Sequence, residues 1–278
     1  MIKRILVPLD PSPFSKVAIK HACRIARTHD AVLTGLVIVD SEGIKGHVAM
    51  IKPYQYDYTA QMDKRMEQQA HERVAGLLAG FSEICERDGV RHREAERQGS
   101  PSQHIIGEAI YYDLLIMGLR TFYGFETSPR PGDSLEIVLD HCVTPVFAVP
   151  EKMNHQEFKR VVIAFDGTQP AARALHDFVQ LASPLDCEVR IVMSRADADE
   201  ASLHLDQAKN FLHAHDVNVV ETIWTPESII KAMLERYLYD VDLIVLGAHS
   251  KNALLDFMIG SLSRTLIEEA KVPLLIGL

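Results

Sequence analysis

Short apolar runs alternate with longer amphipathic segments along this chain of 278 residues, the pattern that a parallel sheet with crossover helices imposes on a sequence. In the C-terminal part the runs lie near 159–165, 187–193, 217–223, 242–246 and 273–276, with a helix fitting between each. Ser183-Pro184, Thr225-Pro226 and Val272-Pro273 punctuate these elements, because the residue before a proline disfavours the helical basin. The pattern occurs twice. Lys3 to Asp10 reads KRILVPLD, and KRVVIAFD follows 156 residues later at Lys159 to Asp166. DLLIMG at Asp113 returns 129 residues later as DLIVLG at Asp242, and Pro145 in TPVFAVP matches Pro273 in VPLLIGL at an offset of 128. The falling offset makes the first copy longer in its middle by about 29 residues.

The prediction is an α/β chain of two tandem open parallel five-stranded sheets with helices on both faces. One domain covers 1–150 and the other 159–278, and the polar link EKMNHQEF at 151–158 is short enough to set them side by side. The extra residues of the first copy include IKPYQYDY at 51–58. Its tyrosines either line a ligand site or pack as an ordered loop over the sheet edge. A long charged helix is predicted over 59–87, with Met62, Met66, Val74, Leu77 and Phe81 as a stripe that packs into the core.

The net charge of -9 narrows the function classes. Residues 1–152 hold 18 basic against 20 acidic groups, and residues 153–278 hold 11 against 18, so neither half offers the basic face that non-specific nucleic-acid binding needs. Cys23, Cys85, Cys142 and Cys187 are far apart and form no CxxC pair, which argues against a zinc site or a disulfide framework and for a reducing compartment. The opening MIKRILVPLD does not read as a signal peptide, and no stretch is apolar for the length of a membrane span. A cytoplasmic location without a membrane partner is expected.

In an open parallel sheet, ligands bind beyond the carboxyl ends of the strands. In the second copy three elements should meet there: Ala164 to Thr168 (AFDGT), the strand end around Met193, and the segment from Gly247. Asp166 is placed either to accept a hydrogen bond from a base or ribose, or to cap the helix starting near Gln169. The fourth strand leads into GAHSKNALLDFMIGSLS at 247–263. Gly247 is expected to allow a sharp turn, Gly260 and Ser261 to begin a helix running to about Ala270, and Ser261 and Ser263 to add hydroxyl donors. A helix start presents unpaired amide hydrogens and the positive end of the macrodipole, which suit a phosphate.

That segment resembles the nucleotide motif of the universal stress proteins: Gly, two residues, Gly, nine residues, then Gly with Ser or Thr. Gly247, Ser250, Gly260 and Ser261 stand at those places with the same spacing, serine replacing the second glycine. The resemblance covers both halves. It implies a tandem universal stress protein with an adenine nucleotide alpha-hydrolase-like, Rossmann-like fold, an ATP site in the second copy with magnesium alongside, and pairing of the two copies through their last strands. The apolar ends Val143 to Val149 and Val272 to Leu278 suit such pairing, and a homodimer of chains is a further expectation. Under the resemblance Asp166 matches the adenine-side aspartate, Met193 lies near the position whose backbone contacts the base, and Ala164, His249 and Leu262 fall in the same site. His249 either contacts a phosphate or faces water.

The first copy departs from the motif. Pro8, Asp10 and Gly118 persist, but Thr121 stands at the second glycine, ten residues rather than nine precede Gly132, and Asp133 replaces Ser or Thr. A carboxylate at that helix start competes with phosphate for the same amides, so a degenerate site is expected. Arg120 and Arg130 read as an anion pocket or as solvated loop charges. No GxxxxGK[ST] loop, GxGxxG after the first strand, GxSxG elbow or HExxH pair is present. No residue is therefore assigned a catalytic role, and slow ATP hydrolysis is the most that is expected. His213 and His215 near a helix end suit the macrodipole better than a metal. The functional expectation is a stress-response regulator that binds ATP; the alternative is a nucleotide-free scaffold, or sensor of another small ligand, built on a pseudo-dimer.

Overall fold

A computed structural model describes residues 1–40, 56–121, 123, 134–153, 157–182, 186–248, 259–269 and 271–278, with the backbone alone over 56–69. The first half runs β1 (Arg4–Pro8), α1 (Pro13–His29), β2 (Val32–Val39), α2 (Tyr56–Arg87), β3 (His92–Gln98), α3 (Pro101–Ala109), β4 (Leu114–Gly118), α4 (Ser134–His141) and β5 (Val146–Val149). The second runs β6 (Arg160–Ala164), α5 (Gln169–Ala182), β7 (Glu188–Ser194), α6 (Ala198–Ala214), β8 (Asn218–Thr225), α7 (Ile229–Ala232, continued by a π-helical turn Met233–Tyr237), β9 (Leu243–Gly247), α8 (Ser261–Glu269) and β10 (Leu274–Gly277). The five strands predicted for the second copy are all present, with ends moved by one or two residues.

The two sheets join. Strand order is β3-β2-β1-β4-β5-β10-β9-β6-β7-β8. All neighbours are parallel except β5 and β10, which run antiparallel with Phe147 opposite Leu275. Both seam strands are buried along their whole length, so leaving either as an edge would strand backbone N–H and C=O groups without partners. The outer edge β3, HREAERQ, is charged and largely exposed.

The repeated sequence blocks have a structural cause. Asp113 Oδ2 accepts from the backbone N–H groups of Lys3 at 2.7 Å and Arg4 at 2.9 Å. Asp242 Oδ2 accepts from those of Lys159 at 3.1 Å and Arg160 at 2.8 Å. Each aspartate thus fastens the start of its half's fourth strand to the start of the first. Burial pushes the Asp242 carboxyl up, but the Arg160 guanidinium and the two N–H groups outweigh it and hold the pKa below the usual value.

One apolar layer lies on each sheet face, and each crosses the seam. Ala22, Phe81, Phe178 and Leu205 on α1, α2, α5 and α6 belong to the first layer. Ile105, Val138, Met233 and Leu266 on α3, α4, the π-helical turn and α8 belong to the second. Of the predicted stripe, Val74 and Phe81 are buried and Leu77 packs on the core; the side chains of Met62 and Met66 and residues 51–55 lie outside the described residues. Gly76 and Gly80 stand inside α2 with nothing within 4 Å of where a Cβ would be. Each costs the helix about 1 kcal/mol relative to alanine without any packing gain. Among the described residues, no helix is long and apolar enough to cross a membrane.

Where the halves meet, His29 Nε2 lies 3.0 Å from the Leu181 carbonyl, and Phe158 packs on Phe147 and under the Arg24 guanidinium. His21 packs beside Phe158; burial, then Arg24 and Lys20, lower its pKa from 6.5 to about 4. A histidine kept neutral in the fold but free to protonate when unfolded removes stability as pH falls through the window between those values. We expect wild-type stability to be flat above about pH 6.5 and to drop by up to about 3 kcal/mol toward pH 4 relative to His21→Leu. Denaturant titration of both proteins across that range checks this, and parallel pH profiles would contradict it.

Candidate functional site

Beyond the strand ends of the second half lies a cavity of about 600 Å³, enclosed by the ends of β6 and β9 and the starts of α5, α6 and α8. Ala164, Asp166, Gly247, Gly260, Ser261 and Leu262, each singled out by the sequence, line it together. Met193 does not. Its side chain is fully buried in β7, and the cavity wall beyond that strand is made by Ser194 and Arg195. His249 and Ser250, with the rest of 249–258, lie outside the described residues.

Asp166 shapes the turn before α5 rather than capping that helix. Its Oδ1 accepts from the backbone N–H of Thr168 at 2.9 Å and from the Thr168 hydroxyl. Thr168, rather than Asp166, then caps α5: its carbonyl takes the Ala172 N–H at 2.9 Å and its hydroxyl faces the Ala171 N–H at 3.4 Å. Among the described residues no protein donor is seen on Oδ2, so one carboxylate oxygen shapes the turn and the other is free to accept from a ligand.

At α8 the donor set is smaller than the sequence suggests. The Gly260 carbonyl accepts from Arg264 N–H at 3.0 Å, which makes Gly260 the cap, but the Gly260 N–H is spent on the Ala248 carbonyl at 2.7 Å. Ser263 is also spent: its buried hydroxyl donates to the carbonyls of Gly247 and Ala248 at 3.1 and 3.3 Å. Serine fits there as a tie between α8 and the end of β9. Ser261, Leu262 and Ser263 line the cavity, and the first-turn N–H groups of a helix have no acceptor within it.

Gly247 also has a different reason from the expected turn. It has no positive φ. A Cβ on it would lie 2.7 Å from the Ala171 nitrogen, and one on its neighbour Gly277 would lie 2.4 Å from the Ala174 nitrogen. Two adjacent glycines therefore let the first turns of α5 press onto the sheet beside the cavity. The left-handed glycine here is Gly167, at φ 76°, directly after Asp166.

The sequence points to the strand end at Met193 but not to Arg195, two residues on. Its guanidinium is paired with Glu200 and donates to the Asp166 carbonyl at 3.3 Å, while its own carbonyl accepts from the Trp224 indole at 3.0 Å. This links the end of β6 to the start of α6, which Asp197 caps through the N–H groups of Asp199 and Glu200. The run SRADADE after β7, basic then acidic at a strand-to-helix turn, was the available signal.

The first half shows the same frame with a buried ring beside the end of β1. Ser12 donates to Asp10 Oδ1 at 2.7 Å, as Thr168 does to Asp166. But Tyr123 is buried, and its hydroxyl donates to the Pro8 carbonyl at 3.3 Å. The ring thus stands beside Pro8, the counterpart of Ala164 156 residues later, and a smaller cavity of about 350 Å³ lies between the start of α1 and Arg120, Thr121 and Glu151. Burial, and then the charge of Asp10, push the Tyr123 phenol well up. Gly118 is pressed by Phe14, with a Cβ position 2.5 Å from the Phe14 Cβ. Thr121 is buried, and Arg120 reaches across to the Glu268 carbonyl at 3.0 Å. Gly132, Asp133 and Arg130 lie outside the described residues. Among the described residues no three His, Cys, Asp or Glu are grouped to hold a metal ion, and His215 packs on Phe211 at the end of α6.

With this geometry in place, the sequence matches the universal stress protein family over residues 1–150 and 192–276. The chain belongs to the universal stress protein family. It is 25% identical over 155 residues to a universal stress protein of Methanocaldococcus jannaschii, which spans 55% of this chain and 85% of that one. A universal stress protein structure from Archaeoglobus fulgidus superposes with a TM-score of 0.74 at 19% identity, over 99% of this chain and 97% of its own. A functionally unknown protein from Pseudomonas aeruginosa does so with 0.64 at 14% identity, over 99% and 92%. These likenesses show the fold: a universal stress protein architecture carried by two repeats in one chain.

Proposed function

We propose that this universal stress protein binds one adenine nucleotide, ATP with magnesium, in the cavity of its C-terminal half and acts as a nucleotide-responsive regulator of the stress response. The observation that supports this most is the convergence of Asp166, Ser261 and the start of α8 on one cavity of about 600 Å³, within the usual span of ligand sites, roughly 300–1,000 Å³. In this reading Asp166 accepts from the base or ribose and the start of α8 holds the phosphates. With no metal-binding cluster among the described residues, magnesium rests chiefly on the nucleotide's own oxygens. The domain units are taken as 1–150 and 159–278, the first with a site closed by Tyr123.

The role in this reading is binding rather than catalysis. ATP should raise the melting temperature, since a ligand at a hundredfold its dissociation constant stabilises by about 2.7 kcal/mol. A melting curve unmoved by millimolar ATP and magnesium would refute the proposal and leave the nucleotide-free scaffold as the better reading.

A further inference from the structure

The sequence places Cys23 and Cys85 62 residues apart, and the fold brings them together. Their sulfurs lie 3.8 Å apart, both buried, where α1 packs against α2 in the first half. The other two cysteines are buried elsewhere, Cys142 after α4 and Cys187 before β7. We propose that Cys23 and Cys85 are a redox pair that closes to a reversible disulfide under hydroperoxide, clasping α2 to α1.

The roles within the pair are distinct. Either thiol can donate to the other's sulfur across this contact; with Cys85 as the donor, the Cys23 pKa is lowered and the Cys85 thiol is pushed up. Cys23 is therefore the attacking sulfur. Its thiolate displaces hydroxide from hydrogen peroxide, giving a sulfenic acid and, after protonation, water. Cys85 then attacks that sulfur, its proton leaving with the hydroxyl as a second water. Two thiols are oxidised by two electrons and one peroxide is reduced to two waters.

Burial alone would make both thiols inert. Access comes from α2 itself. Gly76 and Gly80, with open space where their Cβ atoms would stand, lie about two and a half and one and a half turns before Cys85 and weaken the helix that covers the pair, so local opening of α2 is easier than global unfolding. The disulfide would close a long loop and raise the melting temperature by on the order of 10 °C.

The test treats the full chain with millimolar hydrogen peroxide, then unfolds and alkylates it for mass spectrometry. Two of the four thiols should escape alkylation, a peptide pair should join Cys23 to Cys85 within one chain, and dithiothreitol should restore both. Cys187→Ser should behave as wild type, whereas Cys23→Ser should form no such link. Four alkylated thiols after treatment, a sulfinic acid on Cys23 without a cross-link, or a link involving Cys142 or Cys187 would each overturn the proposal. The wild-type peptide map decides even if a variant fails to fold.

Discussion

Gly260→Asp is expected to weaken ATP binding by at least about a hundredfold while leaving the protein folded. Gly260 is the cap residue of α8, with its carbonyl on Arg264 N–H, and aspartate is a favoured residue at such a cap. Its carboxylate would turn onto the same first-turn N–H groups that we assign to phosphate, and its charge would repel what they attract. The substitution brings to this helix start a carboxylate like that of the first half, where Asp133 stands one position later, in the place of Ser261. Equal ATP affinity in the two proteins would place the phosphate elsewhere, whereas a fall in melting temperature without ATP would show that packing had been broken instead.

The largest effect on stability is expected from Gly277→Val. The first atom of that side chain would fall 2.4 Å from the Ala174 nitrogen and 2.5 Å from its Cα, both backbone atoms of α5 that cannot move aside as a side chain could. Either α5 lifts from the sheet or β10 shifts against β5 across the seam. Overpacking of this kind costs about 3 kcal/mol, a fall of roughly 10 °C in melting temperature. The measurement is a thermal melt of both proteins without ligand. A variant that melts with the wild type would mean that α5 does not approach β10 as closely as described.

These glycines illustrate what a single sequence discloses. The strands, the repeat and the position of the cavity followed from hydrophobic period and spacing, because both halves reuse one frame: an aspartate before the fourth strand tied to the first strand's N–H groups, and a glycine ending it. The reason for Gly247 did not follow, since a close approach to α5 and a sharp turn place the same demand on the residue type. Ser263 and the Gly260 N–H were assigned to the ligand and are instead spent on the Gly247 and Ala248 carbonyls; only three-dimensional neighbours decide that. Tyr123 stands in the polar, proline-containing run LRTFYGFETSPRP, whose composition does not announce a buried ring. The Cys23 and Cys85 contact is likewise a matter of helix packing, invisible to a search for neighbouring cysteines. The joining of β5 to β10 was expected from the resemblance and the apolar strand ends, and the fold adds that the pair forms one uninterrupted ten-stranded sheet.

The Arg195 and Glu200 pair adds a feature that the motif does not contain. It bridges two cavity walls next to Asp166, so it sets the width of the site at the end opposite α8. In the proposed binding mode, the acidic balance there, with Asp166, Asp197 and Glu200 against one arginine, would suit hydroxyl donors such as those of a ribose and leave phosphate to the start of α8.

The most direct test of the central reading is calorimetric titration of ATP with magnesium into the purified wild-type chain. A single working site in the C-terminal half, with the first closed by Tyr123, predicts saturation at one equivalent of nucleotide per chain. Two equivalents would contradict the closed first site, and no heat of binding would contradict the nucleotide site altogether.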